Sequence, residues 1–126
     1  MLRILLVLGF VVAAAPSLAD DAFTMLTPAF GNTIVSTYPD GRTAELWLQP
    51  DGAYTAEGRK HDRSAGQWWV QGGRFCLKQA HPYAFGYVYC TLLSRFSNGS
   101  SWIGRAVTGE TISIRLVRGR PDPAQG

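Results

Sequence analysis

Five consecutive residues, Arg59-Lys60-His61-Asp62-Arg63, form the densest group of chemistry-bearing side chains in this 126-residue chain. Arginine and lysine are donors suited to a carboxylate or a phosphate, so the run is a candidate anion-binding loop. His61 and Asp62 do not make a catalytic pair, because neighbours on extended chain point to opposite sides. The other histidine, His81, stands in Gln79-Ala80-His81-Pro82-Tyr83-Ala84-Phe85. Two histidines without His-x-His or His-x-x-x-His spacing, and with no cysteine to spare, carry no zinc signature. No metal and no cofactor are therefore expected. A Gly-x-Ser-x-Gly nucleophile elbow is missing too. Nine scattered acids offer no recognisable acid–base pair, and Glu45, Glu57 and Glu110 read as surface groups. No residue is assigned a catalytic role, and the chain is not expected to be an enzyme. Asn98-Gly99-Ser100 satisfies the glycosylation acceptor pattern, which matters only in a host that glycosylates.

Aromatic residues are the enriched class, with four Trp, five Tyr and six Phe. Inward-facing aromatics can line a pocket for an apolar or planar ligand, or can fill a small barrel with the protein's own bulk. Trp68, Phe75, Tyr87 and Tyr89, together with Arg59 and His61, are the candidate ligand-binding residues.

The elements that position them are set by turns. Pro39-Asp40-Gly41 and Pro50-Asp51-Gly52 are two copies of one turn signal: proline presets the first corner, aspartate bonds back to the chain, and glycine takes the left-handed position. Gly72-Gly73, Ser97-Asn98-Gly99 and Thr108-Gly109 mark further turns. Between them lie segments rich in β-branched and aromatic residues, which predict strands over 33–38, 43–49, 53–58, 66–71, 74–79, 86–93, 101–106 and 111–117. The only helical signal is a short turn near Asp21 to Leu26. The fold class is all-β: one antiparallel up-and-down meander of about eight strands, closing into a small barrel that removes its edges.

One register follows from two independent constraints. A two-residue turn at Gly72-Gly73 sets Val70 opposite Phe75, Trp69 opposite Cys76 and Trp68 opposite Leu77. Cys76 and Cys90 are the only cysteines, and in an exported domain two cysteines pair. A disulfide between neighbouring strands sets Leu77 opposite Tyr89 and Phe75 opposite Thr91. Its closed loop of about 15 residues stabilises the fold by roughly 3 kcal/mol. Trp68, Val70, Phe75, Leu77, Tyr87 and Tyr89 then share the interior face, while Trp69 shields the disulfide from outside. Leu46 with Leu48, and Ile112, Ile114 and Leu116, also point inward.

Export is read from residues 1–19. Arg3 precedes an apolar run from Ile4 to Ala15, and Ser17-Leu18-Ala19 matches a cleavage site, so a signal peptide is expected to end at Ala19. The run is too short for a bilayer span, and no cysteine follows it to carry a lipid, so no stable membrane anchor is expected. The expected divisions are the signal peptide at 1–19, an N-terminal segment at 20–32, the barrel at 33–117 and a flexible tail at 118–126. Losing Arg3 leaves 11 basic against 9 acidic side chains, which is no basis for nucleic-acid binding. The expected location is the periplasm or the extracellular space. The sequence leaves the oligomeric state open.

The order Gly31-Asn32-Thr33, Tyr38-Pro39-Asp40-Gly41, Pro50-Asp51-Gly52-Ala53-Tyr54, Gly66-Gln67-Trp68-Trp69-Val70 and Gly72-Gly73-Arg74-Phe75-Cys76 resembles a group of small exported bacterial proteins. That group is of unknown function and is predicted to form lipocalin-like or avidin-like β-barrels. The resemblance covers roughly residues 31–92 and rests on turn glycines and core aromatics. It implies a ligand in the barrel mouth and lends no catalytic residue. The function expected is binding of a small apolar or aromatic molecule. The alternative is a protein-interaction module with an exported protein partner, such as an inhibitor of a secreted or periplasmic enzyme.

Overall fold

The computed structural model describes residue 9, residues 24–93 and residues 101–120. The expected signal peptide, the Asn98-Gly99-Ser100 motif with its turn, and the last six residues lie outside the described residues. The strands are β1 (Thr33–Thr37), β2 (Thr43–Leu48), β3 (Ala53–Glu57), β4 (Arg63–Gln71), β5 (Arg74–His81), β6 (Val88–Leu92), β7 (Ser101–Arg105) and β8 (Thr111–Val117). They form one antiparallel sheet in the order β6-β5-β4-β3-β2-β1-β8-β7, curled into a nearly closed barrel. β4 begins three residues earlier than the turn signals indicate.

The meander closes where its ends meet. Ile34 and Ser36 of β1 stand opposite Leu116 and Ile114 of β8. Among the described residues no ladder joins β6 to β7. Their seam is bridged by the Tyr89 hydroxyl, which donates to the Arg105 carbonyl.

Four hairpin turns share one design, and it explains an unusual backbone angle. In each, an amide three residues on donates back to the residue that follows the strand: Gly41 to Tyr38, Gly52 to Gln49, His61 to Gly58 and Gly109 to Ala106. The donor residue takes positive φ in all four: +83°, +95°, +65° and +88° in that order. Three are glycine, which carries no steric penalty there. The fourth is His61, one of the few side-chain types that tolerate this region. In the two Pro-Asp-Gly copies the aspartate does bond back: Asp40 Oδ1 accepts from the Arg42 amide and Asp51 Oδ1 from the Ala53 amide, each at 2.9 Å.

Around the Gly72-Gly73 turn the register is the one two constraints had fixed. Val70 faces Phe75, Trp69 faces Cys76 and Trp68 faces Leu77, while Phe75, Cys76 and Leu77 face Thr91, Cys90 and Tyr89. Cys76 and Cys90 are joined by a disulfide. Cys76 is buried opposite half-buried Trp69, so the bond lies under that indole on the outer face.

The hydrophobic core fills one end of the barrel only. Ile34, Leu48, Tyr54, Trp68, Phe75 and Leu93 pack there against Leu26 and Ala29. Those last two belong to the N-terminal segment, where the single helical turn expected before Leu26 runs on into a 3₁₀ turn over Thr27–Ala29 with Pro28 in its first positions. Leu26 is fully buried, and Phe30 leans on Trp68 with ring centres 5.8 Å apart. The segment is thus a plug that closes this end.

The tail expected to fray from Arg118 is instead held as far as Arg120. Gly119 donates its amide to Asn32 Oδ1 and accepts from the Thr33 hydroxyl, both at 2.8 Å. Thr33 also accepts from Trp47 Nε1 at 2.9 Å, and the Arg120 guanidinium sits 4.6 Å above the Trp47 ring. A buried threonine with two partners and an indole under a cation hold the backbone. Composition alone does not show this.

Candidate functional site

Strand direction places the turns at 38–42, 58–62, 82–87 and 106–110 at the end opposite the plug. Here the barrel is hollow. A cavity of about 460 Å³ opens between these loops and runs down the interior. Its existence follows from side-chain size. Inward positions near the mouth carry Ser36, Ala44, Ala56, Ser64, Ala84 and Ala106, whereas those at the plugged end carry Leu48, Trp68 and Phe75. Small side chains leave the upper half of the lumen unfilled. Its middle wall is apolar, built from Leu46, Leu77, Ile112 and Ile114.

The mouth itself is unusually apolar. Phe85 is 89% exposed and Tyr83 72% exposed, their ring centres 5.3 Å apart. Tyr87 and Val107 are exposed beside them. Tyr83, Phe85, Tyr87 and Val107 are thus four large exposed side chains on the loops 82–87 and 106–110.

Arg59 organises the other side of the rim. Its guanidinium donates to both oxygens of Glu110, at 2.8 and 3.2 Å, and lies 3.6 Å from Asp40. It also covers the Tyr38 ring at 4.2 Å from the centroid. One side chain therefore ties three mouth loops. Hydrogen bonds from Arg59 and from the Thr108 hydroxyl hold the Glu110 carboxyl below its ordinary value of 4.5. Burial raises Tyr38 above its usual 10.0, against the lowering influence of Arg59.

A carboxyl with a lowered folded-state pKa adds stability at high pH and loses it as pH falls through that pKa. The tether is therefore whole at neutral pH and is released on the acid side of 4.5. Thermal melts taken against pH should steepen there in the wild-type protein and less so in Glu110→Gln. Parallel curves would show that the bridge contributes nothing, as is common for exposed pairs.

The candidate residues divide between these features. Phe75, Tyr87 and Tyr89 line the cavity. Trp68 belongs to the packed end, where its indole donates to the Gln49 carbonyl at 2.8 Å. Arg59 is committed to Glu110 and Asp40, and the anion-binding role expected of its loop would require breaking that bridge. His61 lies outside the lumen, 3.3 Å from Glu57 and largely exposed. His81 lines a shallow cleft of about 810 Å³ on the outer face, with Trp47, Ala65 and Arg120. That cleft is larger than the lumen, but its aromatic face is already covered by Arg120.

Sequence reasoning missed Ser36, Tyr38, Tyr54 and Ser64 as lining residues. The signal was available as parity: inward positions on the first four strands are all even-numbered. Among the described residues no group of three or more His, Cys, Asp or Glu side chains could hold a metal ion. Nor is any helix among them long and apolar enough to cross a membrane. Compared with protein-family models, curated proteins and solved structures, the chain matches none.

Proposed function

We propose that the protein is an exported, lipocalin-like receptacle that holds a small apolar or aromatic molecule in the open half of its barrel. The observation that carries this reading is the cavity of about 460 Å³ above a fully packed core. That volume lies in the range of small-molecule pockets, with an apolar wall and a few polar groups, as such pockets have. The aromatic rim fits as the port through which an apolar molecule leaves water. The disulfide suits a protein that works in an oxidising space.

The experiment is native mass spectrometry on protein purified gently from its own compartment, beside the variant Ala56→Trp. Ala56 lines the cavity near its mouth, so an indole there occupies empty space rather than displacing core. Wild type should carry a reproducible extra mass of a few hundred daltons. The variant should fold with a similar melting temperature and lose that mass. Bare wild-type protein would overturn the reading.

The exposed pair Tyr83 and Phe85 favours one second reading, a protein-interaction module. On that reading the same spectra show a polypeptide partner, retained in Ala56→Trp because the lumen plays no part.

A further inference from the structure

The hydroxyl of Tyr54 belongs to a core residue, 5% exposed, that also lines the cavity, and among the described residues it has no hydrogen-bond partner. No side-chain oxygen among them is both sealed and unpartnered, so the Tyr54 oxygen keeps access to free space, and the cavity is the space its residue lines. Leaving a buried phenol without a partner costs stability, and a side chain used for packing alone would be better as phenylalanine. Burial also raises the phenol above its ordinary 10.0, so at neutral pH it is uncharged and can both donate and accept.

The charges along the lining narrow the class further. Among the described residues the cavity lining includes no lysine, arginine or histidine, and Glu45 and Glu57 stand at odd, outward positions of their strands. The nearest candidate cation, Arg59, is engaged by Glu110 and Asp40. An anionic ligand would be drawn from water into an apolar lumen with no counter-charge, which is strongly unfavourable.

Resting on the receptacle reading above, we propose that the ligand is an uncharged apolar molecule whose single hydroxyl-type group is seated on Tyr54 Oη. It enters polar group first. A carboxylate-headed chain such as a fatty acid is excluded by the lining. The lining also carries the Ser36 and Ser64 hydroxyls, and the Thr91 hydroxyl on the strand opposite Phe75; Tyr54 differs from them in being buried within the core cluster.

Equilibrium dialysis with three near-isosteric probes tests this: 2-naphthol, 2-methylnaphthalene and 2-naphthoate, on wild type and on Tyr54→Phe. The naphthol-to-methylnaphthalene affinity ratio should fall about fivefold in Tyr54→Phe, the worth of one net hydrogen bond. Naphthoate should bind wild type more weakly than naphthol. If both neutral probes bind and their ratio is the same in the two proteins, Tyr54 is no anchor and the proposal fails while the receptacle stands. Tighter binding of naphthoate than naphthol to wild type overturns the uncharged class, with no variant needed. If no probe binds wild type, the receptacle reading and this assignment fall together.

Discussion

Gly66→Ala should abolish stable folding, or reduce stability by more than about 4 kcal/mol, the range reserved for specific structural conflicts. A Cβ built on Gly66 would overlap the Lys78 carbonyl oxygen and lie 2.9 Å from the Gln79 Cα. Both are backbone atoms of β5, so no side chain can swing away. The close approach coincides with the register shift between Ala65 and Gly66, where β4 pairs with His81 on one side and Gln79 on the other. A methyl group must force β4 and β5 apart at the bulge, and bulges re-aim a strand by design. Across the sheet Gly66 stands opposite Tyr54, so the disturbance reaches the cavity floor as well. Chemical denaturation monitored by far-UV circular dichroism would measure it. A variant within about 1 kcal/mol of wild type would mean that the bulge relaxes and that the contact is not a constraint.

Trp68→Ala should cost about 3–5 kcal/mol, as large-to-small core changes do. The indole touches Phe30 of the plug and Phe75 of β5, ring centres 5.8 and 6.1 Å away. It also donates to the Gln49 carbonyl, and its own amide donates to Gly52 in the same turn at 2.8 Å. Truncation therefore leaves a void beneath the plug and removes one of the two hydrogen bonds that the Gln49 carbonyl accepts. Against a total stability of about 5–15 kcal/mol, that is a large share. Urea titration followed by the remaining tryptophans gives the value. A loss under about 1 kcal/mol would be incompatible with the void.

Most of the architecture was legible because turns and registers are local quantities. The Gly72-Gly73 turn and the cysteine pair each fix one alignment, and together they placed six side chains on the inner face. The plug was less visible: Leu26, Ala29 and Phe30 repeat at helical spacing, yet a single turn is too short to declare itself as a pattern. Arg59 shows the sharper limit. Read along the chain it is one of three basic residues in an anion-binding loop. In space it is satisfied by Glu110, 51 residues away, and only cross-strand geometry reveals that. Trp68 and Tyr89 show the same limit for the site. Both are bulky and inward, but one lies in the packed end and the other in the hollow one. Which end stays empty depends on the combined volume contributed at each height by eight strands.

The order of pairings also divides the chain by the distance each contact must span. β1 to β6 wind as a meander in which every ladder joins strands adjacent in sequence, and β7 with β8 is a hairpin of the same local kind. Among the described residues only the ladder from β1 to β8 joins residues far apart along the chain. For an all-β protein this is a low contact order. Two locally wound pieces can form at the speed of hairpins, and a single ring-closing encounter then carries nearly all of the loop entropy. The lumen exists only after that encounter, so a molecule that favours the lumen binds no earlier species on the folding path.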